Sequence, residues 1–144
     1  MKIVIDTNLF VAGYFNKDSA SAKILKMVKE RKLQMLWTEE IKEEVERIIE
    51  NIKAKKKFQR EIQKIFREEN KVEPRFRIKE IKEDPEDNKF LECAYFGKAE
   101  VIISSDRHLL SLGEFQGTPI YTPKTFIEKY GNLFADAHEI YGNK

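Results

Sequence analysis

The hydrophobic and polar positions along the chain alternate between short buried runs and helical stripes. Lys2–Asp6 is a β-branched run closed by an acid and reads as a buried strand. Ser19 to Lys32 reads as a helix with Ser19 as N-cap and Ile24, Leu25 and Val28 on one side. Leu33–Trp37 is the next strand. Thr38 then caps a helix that runs to about Asn51, with Glu39 and Glu40 in a first turn that suits negative charge. The spacing of Phe58, Ile62, Ile65 and Phe66 predicts a further helix over Lys53–Asn70. Pro74 to Glu83 reads as extended or irregular. Asp84-Pro85-Glu86-Asp87 has the form of a helix start, with Asp84 as cap and Pro85 at the first position. That helix carries Phe90, Leu91, Ala94 and Tyr95 and stops near Gly97. Val101–Ser104 is a strand, Asp106 opens a short helix closed by Gly113, Ile120–Tyr121 is a last strand, and Pro123 starts a helix that ends at Gly131.

Strands that alternate with helices imply right-handed crossovers and a mostly parallel sheet, hence an α/β fold. The expected organisation is one domain over residues 1–131, with 132–144 as a C-terminal tail of unassigned role. At 144 residues the chain can bury a real core without disulfides, and its single cysteine, Cys93, allows none within the chain. An acid at position 6 comes too early for a secretory apolar region, and no apolar run approaches the roughly 20 residues that span a bilayer. The expectation is a cytoplasmic protein with no membrane partner.

In such sheets, sites form beyond the carboxyl ends of the strands. Asp6 ends the first strand, and Asp106 lies two residues beyond Ser104. Asp87 sits in the first turn of the helix that leads into the Val101–Ser104 strand, so a right-handed crossover leaves it near the same edge. Glu44 follows from the helical wheel. At about 100° per residue, Ile41, Val45, Ile48, Ile49 and Ile52 fill an arc roughly 100° wide. Glu39, Glu40, Glu43, Glu46 and Glu50 lie roughly 115° or more from its centre, while Glu44 lies about 85° from it. Each acid taken singly also suits a cap, a turn or a solvated surface. Together they share one predicted location, where crowded carboxylates repel one another and a hard divalent cation would relieve them. On that reading Glu44→Gln leaves metal-free stability equal or higher. His108 follows Asp106 by two residues; a place at the same edge is the lesser of its two readings, beside one with no part in the site. Cys93 reads as core. No glycine-rich phosphate loop, zinc pattern or serine-hydrolase set is present.

Net charge is only +2, but Lys53–Lys82 holds 12 Lys and Arg against 5 Glu, a local excess of seven that leaves the rest at −5. A basic segment beside an acidic site fits a polyanion held next to a cation. Lys53, Lys55, Lys56, Lys57 and Arg60, with Arg75 and Arg77, are the candidate contacts to backbone phosphates.

These segments resemble the PIN-domain family. Val-Ile-Asp6-Thr7-Asn8 is similar to its first-strand signature, and Thr38-Glu-Glu-Ile-Lys-Glu-Glu44-Val-Glu-Arg-Ile-Ile to its glutamate-bearing helix. Asp84-Pro-Glu-Asp87-Asn-Lys-Phe-Leu-Glu-Cys-Ala resembles its third-acid helix, and Ile-Ile-Ser104-Ser105-Asp106-Arg-His-Leu-Leu its fourth-acid segment. The resemblance spans about Met1 to Tyr130 and is nearest the VapC-like toxins of prokaryotic toxin–antitoxin pairs. It implies a three-layer α/β/α fold and cleavage of single-stranded RNA to 5′-phosphate and 3′-hydroxyl ends. It also implies Asp6, Glu44, Asp87 and Asp106 as catalytic ligands of one or two Mg²⁺ or Mn²⁺ ions, with Asn8 and Ser104 as supporting polar residues. An antitoxin protein and a homodimer are the implied protein partners. The fourth segment departs from the family's usual Thr-Gly-Asp followed by a second acid, because His108 stands in that acid's place. Two other readings use the same acids: a non-catalytic RNA- or partner-binding module on this scaffold, and a receiver-like phosphoacceptor domain.

Overall fold

The computed structural model describes residues 1–134. Strand β1 (Lys2–Ile5) leads at once into helix α1 (Asn8–Phe15), which is followed by α2 (Ala20–Lys29), β2 (Gln34–Met35), α3 (Glu39–Asn51) and α4 (Lys56–Ile65). A 3₁₀ turn at Glu68–Asn70 and an extended segment connect to a second 3₁₀ turn, Pro85–Asp87, that feeds α5 (Asn88–Gly97). The remainder is β3 (Val101–Ile103), α6 (Arg107–Leu110), β4 (Glu114–Phe115), β5 (Thr118–Tyr121) and α7 (Pro123–Phe134).

The sheet has the order β2-β1-β3-β5-β4, parallel except for β4, which pairs antiparallel with β5. Register sets Ile3, Val4 and Ile5 beside Val101, Ile102 and Ile103. All six are buried, as strands covered on both faces must be. The chain leaves β1 toward β2 on one side and later returns to β3 on the other. Right-handed crossovers in opposite directions put α1 and α2 on one face and α5 on the other, with α3 touching both α1 and α5 and α4 packed beside α2. Consistently, α5 packs on β1 and β3, while α7 packs against α2 and β5. The result is a three-layer α/β/α fold whose topological switch point lies between β1 and β3.

Several elements differ from the sequence reading. Helix α1 was not expected: its apolar residues show no helical stripe, and Thr7 makes no side-chain cap. It packs very closely on α2, since a Cβ at Gly13 would stand 2.8 Å from Leu25 Cδ1. The helix expected over Lys53–Asn70 is shorter at both ends. Lys53 takes a left-handed conformation (φ 55°) after α3, and Phe66 leaves α4 to pack edge-on against Trp37 at 5.5 Å. Arg67, one residue on, donates to the Val28 and Lys29 carbonyls at the end of α2. Asp84 makes no side-chain cap bond, contrary to expectation. Gln116 and Gly117, both at positive φ, form the tight turn of the unexpected β4–β5 hairpin. Helix α7 runs on past Gly131 to Phe134. The rest of the expected tail, residues 135–144 with His138, lies outside the described residues. Among the described residues, no helix is long and apolar enough to cross a membrane.

Candidate metal centre

At the carboxyl ends of β1 and β3 the backbone itself joins the two strands, because Asp6 N–H donates to the Ile103 carbonyl at 3.0 Å. Asp6 is buried at 3% exposure, and both of its oxygens are held. Oδ1 accepts from Asn8 N–H at 2.6 Å, and Oδ2 accepts from Ser104 Oγ and from Ser105 N–H at 3.2 Å. Burial pushes the Asp6 carboxyl above its usual range, those hydrogen bonds pull it down, and nearby Asp106 adds to the rise. Ser104, fully buried, also accepts from Asp106 N–H at 2.9 Å and so links the two acids. Asp106 caps α6: its Oδ1 accepts from His108 N–H at 2.8 Å and Leu109 N–H at 3.2 Å. Asn8 is exposed and enters the site through its backbone N–H.

Asp87 follows Pro85 into the same edge and is buried, at 9% exposure. Its Oδ2 is buried without a hydrogen-bond partner. Its carboxyl is pushed up to about 7, first by burial, then by the adjacent Asp106 carboxylate and by the charges of Asp84 and Asp6. His108 Nδ1, also buried and unpartnered, stands 3.7 Å from both Asp87 Oδ2 and Asp106 Oδ1. Donor atoms of Asp84, Asp87, Asp106 and His108 all lie within 4.8 Å of one another. Asp84, free of the capping role expected of it, joins this group instead.

Glu44 is held differently. Its Oε1 accepts from Thr7 Oγ1, and its Oε2 accepts from Lys89 Nζ at 2.5 Å. Lys89 is buried, its side chain 2% exposed, and it reaches Glu86 at 3.4 Å as well. The charge on Glu44 is therefore compensated within the chain. Sequence reasoning missed Lys89 and Thr7. The signal available was slight: Lys89 falls between Asn88 and Phe90 on a helix whose first seven residues are all buried.

The structure thus brings Asp6, Asp87, Asp106 and Ser104 to one strand edge, adds Asp84 and His108, and ties Glu44 to Thr7, the residue after Asp6. The basic residues are elsewhere. Lys53, Lys55, Lys56, Lys57 and Arg60 are exposed around the start of α4, where Lys55 N–H donates to Tyr14 Oη at 3.0 Å. Tyr14 is near the far end of α1, a rise of roughly 10 Å from Asn8. Arg77 is engaged by Glu40 at 2.7 Å and by Glu92 at 3.4 Å. Arg75 borders a surface cavity of about 960 Å³, which Lys2, Phe76, Tyr95 and Ala99 also line. Lys2 and Ala99 mark the amino ends of β1 and β3, so that cavity is at the opposite end of the sheet. Phe76 packs edge-on against Phe96 there, at 4.8 Å.

A family model described as a PIN domain matches residues 2–108 of the chain. The chain belongs to the PIN-domain family. An uncharacterized protein of Methanocaldococcus jannaschii, MJ1680, is 31% identical over an alignment 144 positions long that spans 90% of this chain and 92% of that protein. The matched stretch contains Asp6, Glu44, Asp87, Asp106 and His108. PIN domains have a metal-dependent nuclease fold, and this family sets the receiver-like alternative aside. The residues at the strand edge suit a divalent cation: the donors are carboxylate oxygens with one imidazole nitrogen, and two of them are buried and unpartnered.

Proposed function

We propose that this PIN domain is an endoribonuclease that hydrolyses phosphodiester bonds of single-stranded RNA, and that it serves as the toxin of a toxin–antitoxin pair. Asp6, Asp87 and Asp106, with Glu44 beside them, would hold the Mg²⁺ or Mn²⁺. The observation that carries the reading is the buried, unpartnered Asp87 oxygen among carboxylates that raise one another's proton affinity. When bound, a divalent cation supplies positive charge that withdraws electrons from the scissile phosphate and acidifies water.

The chain's own residues do the positioning. Ser104 and the N–H groups of Asn8 and Ser105 hold Asp6 in one orientation. Asp106 is fixed by the α6 backbone it caps. Thr7 and Lys89 fix Glu44, and the Lys89 ammonium offsets part of the negative charge that would otherwise repel RNA. The exposed lysines around the start of α4 offer phosphate contacts without sequence choice.

One observation favours the non-catalytic reading: Glu44 already has its counter-charge in Lys89. Incubation of a defined single-stranded RNA with Mn²⁺, with Mg²⁺ and with EDTA separates the two. The expected result is metal-dependent cleavage with 5′-phosphate ends, lost in Asp6→Asn. Binding without cleavage under every metal condition would establish the non-catalytic reading instead. The toxin role predicts that expression of the chain arrests growth and that Asp6→Asn does not.

A further inference from the structure

We propose that His108 donates its Nδ1 to the cation of this centre, and that this nitrogen makes the centre select transition-metal cations, Mn²⁺ among them, over Mg²⁺. The inference rests on the metal-centre reading above and goes beyond it by assigning a ligand and a metal preference.

His108 has a competing role as a counter-ion that neutralises Asp87 and Asp106 directly. Geometry argues against it. A charge-assisted N–H···O bond closes to about 2.7–2.9 Å. Here Nδ1 stands 3.7 Å from an oxygen of each acid, bonded to neither, and it is buried. A buried ring nitrogen without a partner is a costly arrangement unless something else occupies the space between the donors. Donors that share one ion at about 2.0–2.2 Å each stand roughly 3–4 Å apart. The two 3.7 Å separations from His108 Nδ1 to Asp87 Oδ2 and Asp106 Oδ1 suit that arrangement. Asp87 is a second sign, as a buried residue whose carboxylate oxygen, itself shielded from water, has no hydrogen-bond partner and faces the imidazole. The backbone holds the ring in place, since His108 N–H is bound by Asp106 and its carbonyl accepts from Ser111 Oγ at 3.1 Å.

Metal preference follows from the donor set. Mg²⁺ is bound through oxygen and gives up its waters reluctantly. Imidazole suits the transition metals, whose affinity for mixed nitrogen and oxygen sites rises from Mn²⁺ through Fe²⁺ and Co²⁺. An acid at position 108 would complete an all-oxygen centre; the histidine found there breaks it.

The chain has two histidines, His108 and His138, so ¹⁵N-histidine labelling marks two sites that single variants tell apart. Electron spin-echo modulation of Mn²⁺ on the labelled protein should show a directly bound nitrogen, lost in His108→Ala and kept in His138→Ala. Calorimetric titration with Mn²⁺ and with Mg²⁺ should show His108→Ala weakening Mn²⁺ by about tenfold or more and Mg²⁺ by far less. Melting in EDTA checks that the variant is folded. Mn²⁺ bound at wild-type affinity in His108→Ala, or bound without nitrogen modulation, would overturn the inference while leaving the proposed nuclease intact. Failure of both ions to bind the wild type, or binding unaffected by Asp6→Asn and Asp87→Asn, would overturn the metal-centre reading and this inference with it.

Discussion

Glu44→Gln tests how the negative charge of this site is balanced. If Glu44 faced only other carboxylates, removing its charge would leave the metal-free protein as stable or more so. The structure reverses the sign. The charges that raise Asp6 and Asp87 come from Asp106, Asp84 and Asp6 itself, and Glu44 is not among them. Its partner is Lys89, at 2.5 Å, with the lysine side chain 2% exposed and the glutamate 18%. Removing one partner of a fully buried pair costs about 3–5 kcal/mol. Three features reduce that here: Glu44 is partly exposed, Lys89 keeps Glu86 at 3.4 Å, and glutamine retains an acceptor oxygen. A loss of about 1–3 kcal/mol remains. In a chain of this size that lowers Tm by roughly 3–9 °C. The assay is melting in EDTA of wild type, Glu43→Gln, Glu44→Gln, Lys89→Met and the Glu44→Gln/Lys89→Met double variant. Glu43 is exposed, and its substitution should stay within about 0.5 kcal/mol. The double variant should lose less than the two single losses combined, because neither charge is then stranded. A Glu44→Gln midpoint equal to or above wild type in EDTA would refute the role given to Lys89 and restore repulsion as the dominant effect. Cleavage at saturating Mn²⁺ should fall by orders of magnitude in Glu44→Gln and hold in Glu43→Gln.

The other expectations concern metal, protons and RNA. Mn²⁺ at about 100 times its Kd should stabilise the fold by roughly 2.7 kcal/mol, a rise of about 8 °C over EDTA for a chain of this length; an unchanged midpoint at metal concentrations that support cleavage would speak against the site. Asp87 has its carboxyl raised to about 7 from an ordinary value near 3.8, and Asp6 moves the same way. Their contribution to stability is full below the ordinary value and is lost as pH rises toward 7, so metal-free protein should melt higher at pH 5 than at pH 7.5, with a flatter profile in Asp87→Asn. Lys55→Glu, Lys56→Glu and Lys57→Glu together should weaken RNA binding and reduce its salt slope by about 0.7 for each phosphate no longer neutralised, while metal-dependent melting stays intact; equal binding at every salt concentration would make the segment a solvated helix end.

Much of the α/β alternation was legible because the central strands β1 and β3 are short β-branched runs and most helices carry a clear stripe. Helix α1 was hidden because nearly every side of it is apolar or small, which leaves no period to read. Hairpin β4–β5 was half hidden because Glu114 and Phe115 give only two positions of alternation. The long basic helix was overextended because Phe66 continues the stripe of α4 while in fact turning inward to Trp37. Asp6 and Asp106 could be placed from strand ends alone, and Asp87 from the crossover. Helix periodicity could mark Glu44 as a boundary residue, but not what it meets. Lys89 lies 45 residues further on, and no local pattern relates a lysine on one helix to a glutamate on another. The same limit hid Asp84, whose Asp-Pro context reads locally as a cap while tertiary placement gives its carboxylate to the cluster.

The acids at the strand edge fall into two groups by how their charge is answered. Glu44 has both oxygens bonded, one to a hydroxyl and one to an ammonium, and Asp6 has both bonded to a hydroxyl and to backbone N–H groups. Those oxygens are oriented and largely satisfied. Asp87 and His108 are not: a buried oxygen of one and a buried ring nitrogen of the other lack partners, and the Asp87 carboxyl is driven toward protonation. An incoming cation gains most where repulsion is greatest and existing hydrogen bonds are fewest. The Asp84–Asp87–Asp106–His108 side is therefore where binding should begin, with Asp6 completing the shell and Glu44 joining only by sharing its charge with Lys89. Asp87→Asn should then weaken Mn²⁺ binding more than Glu44→Gln does, although the two substitutions remove the same charge. Titration calorimetry of both variants decides it, and a greater loss in Glu44→Gln would place the primary ion on the Lys89 side.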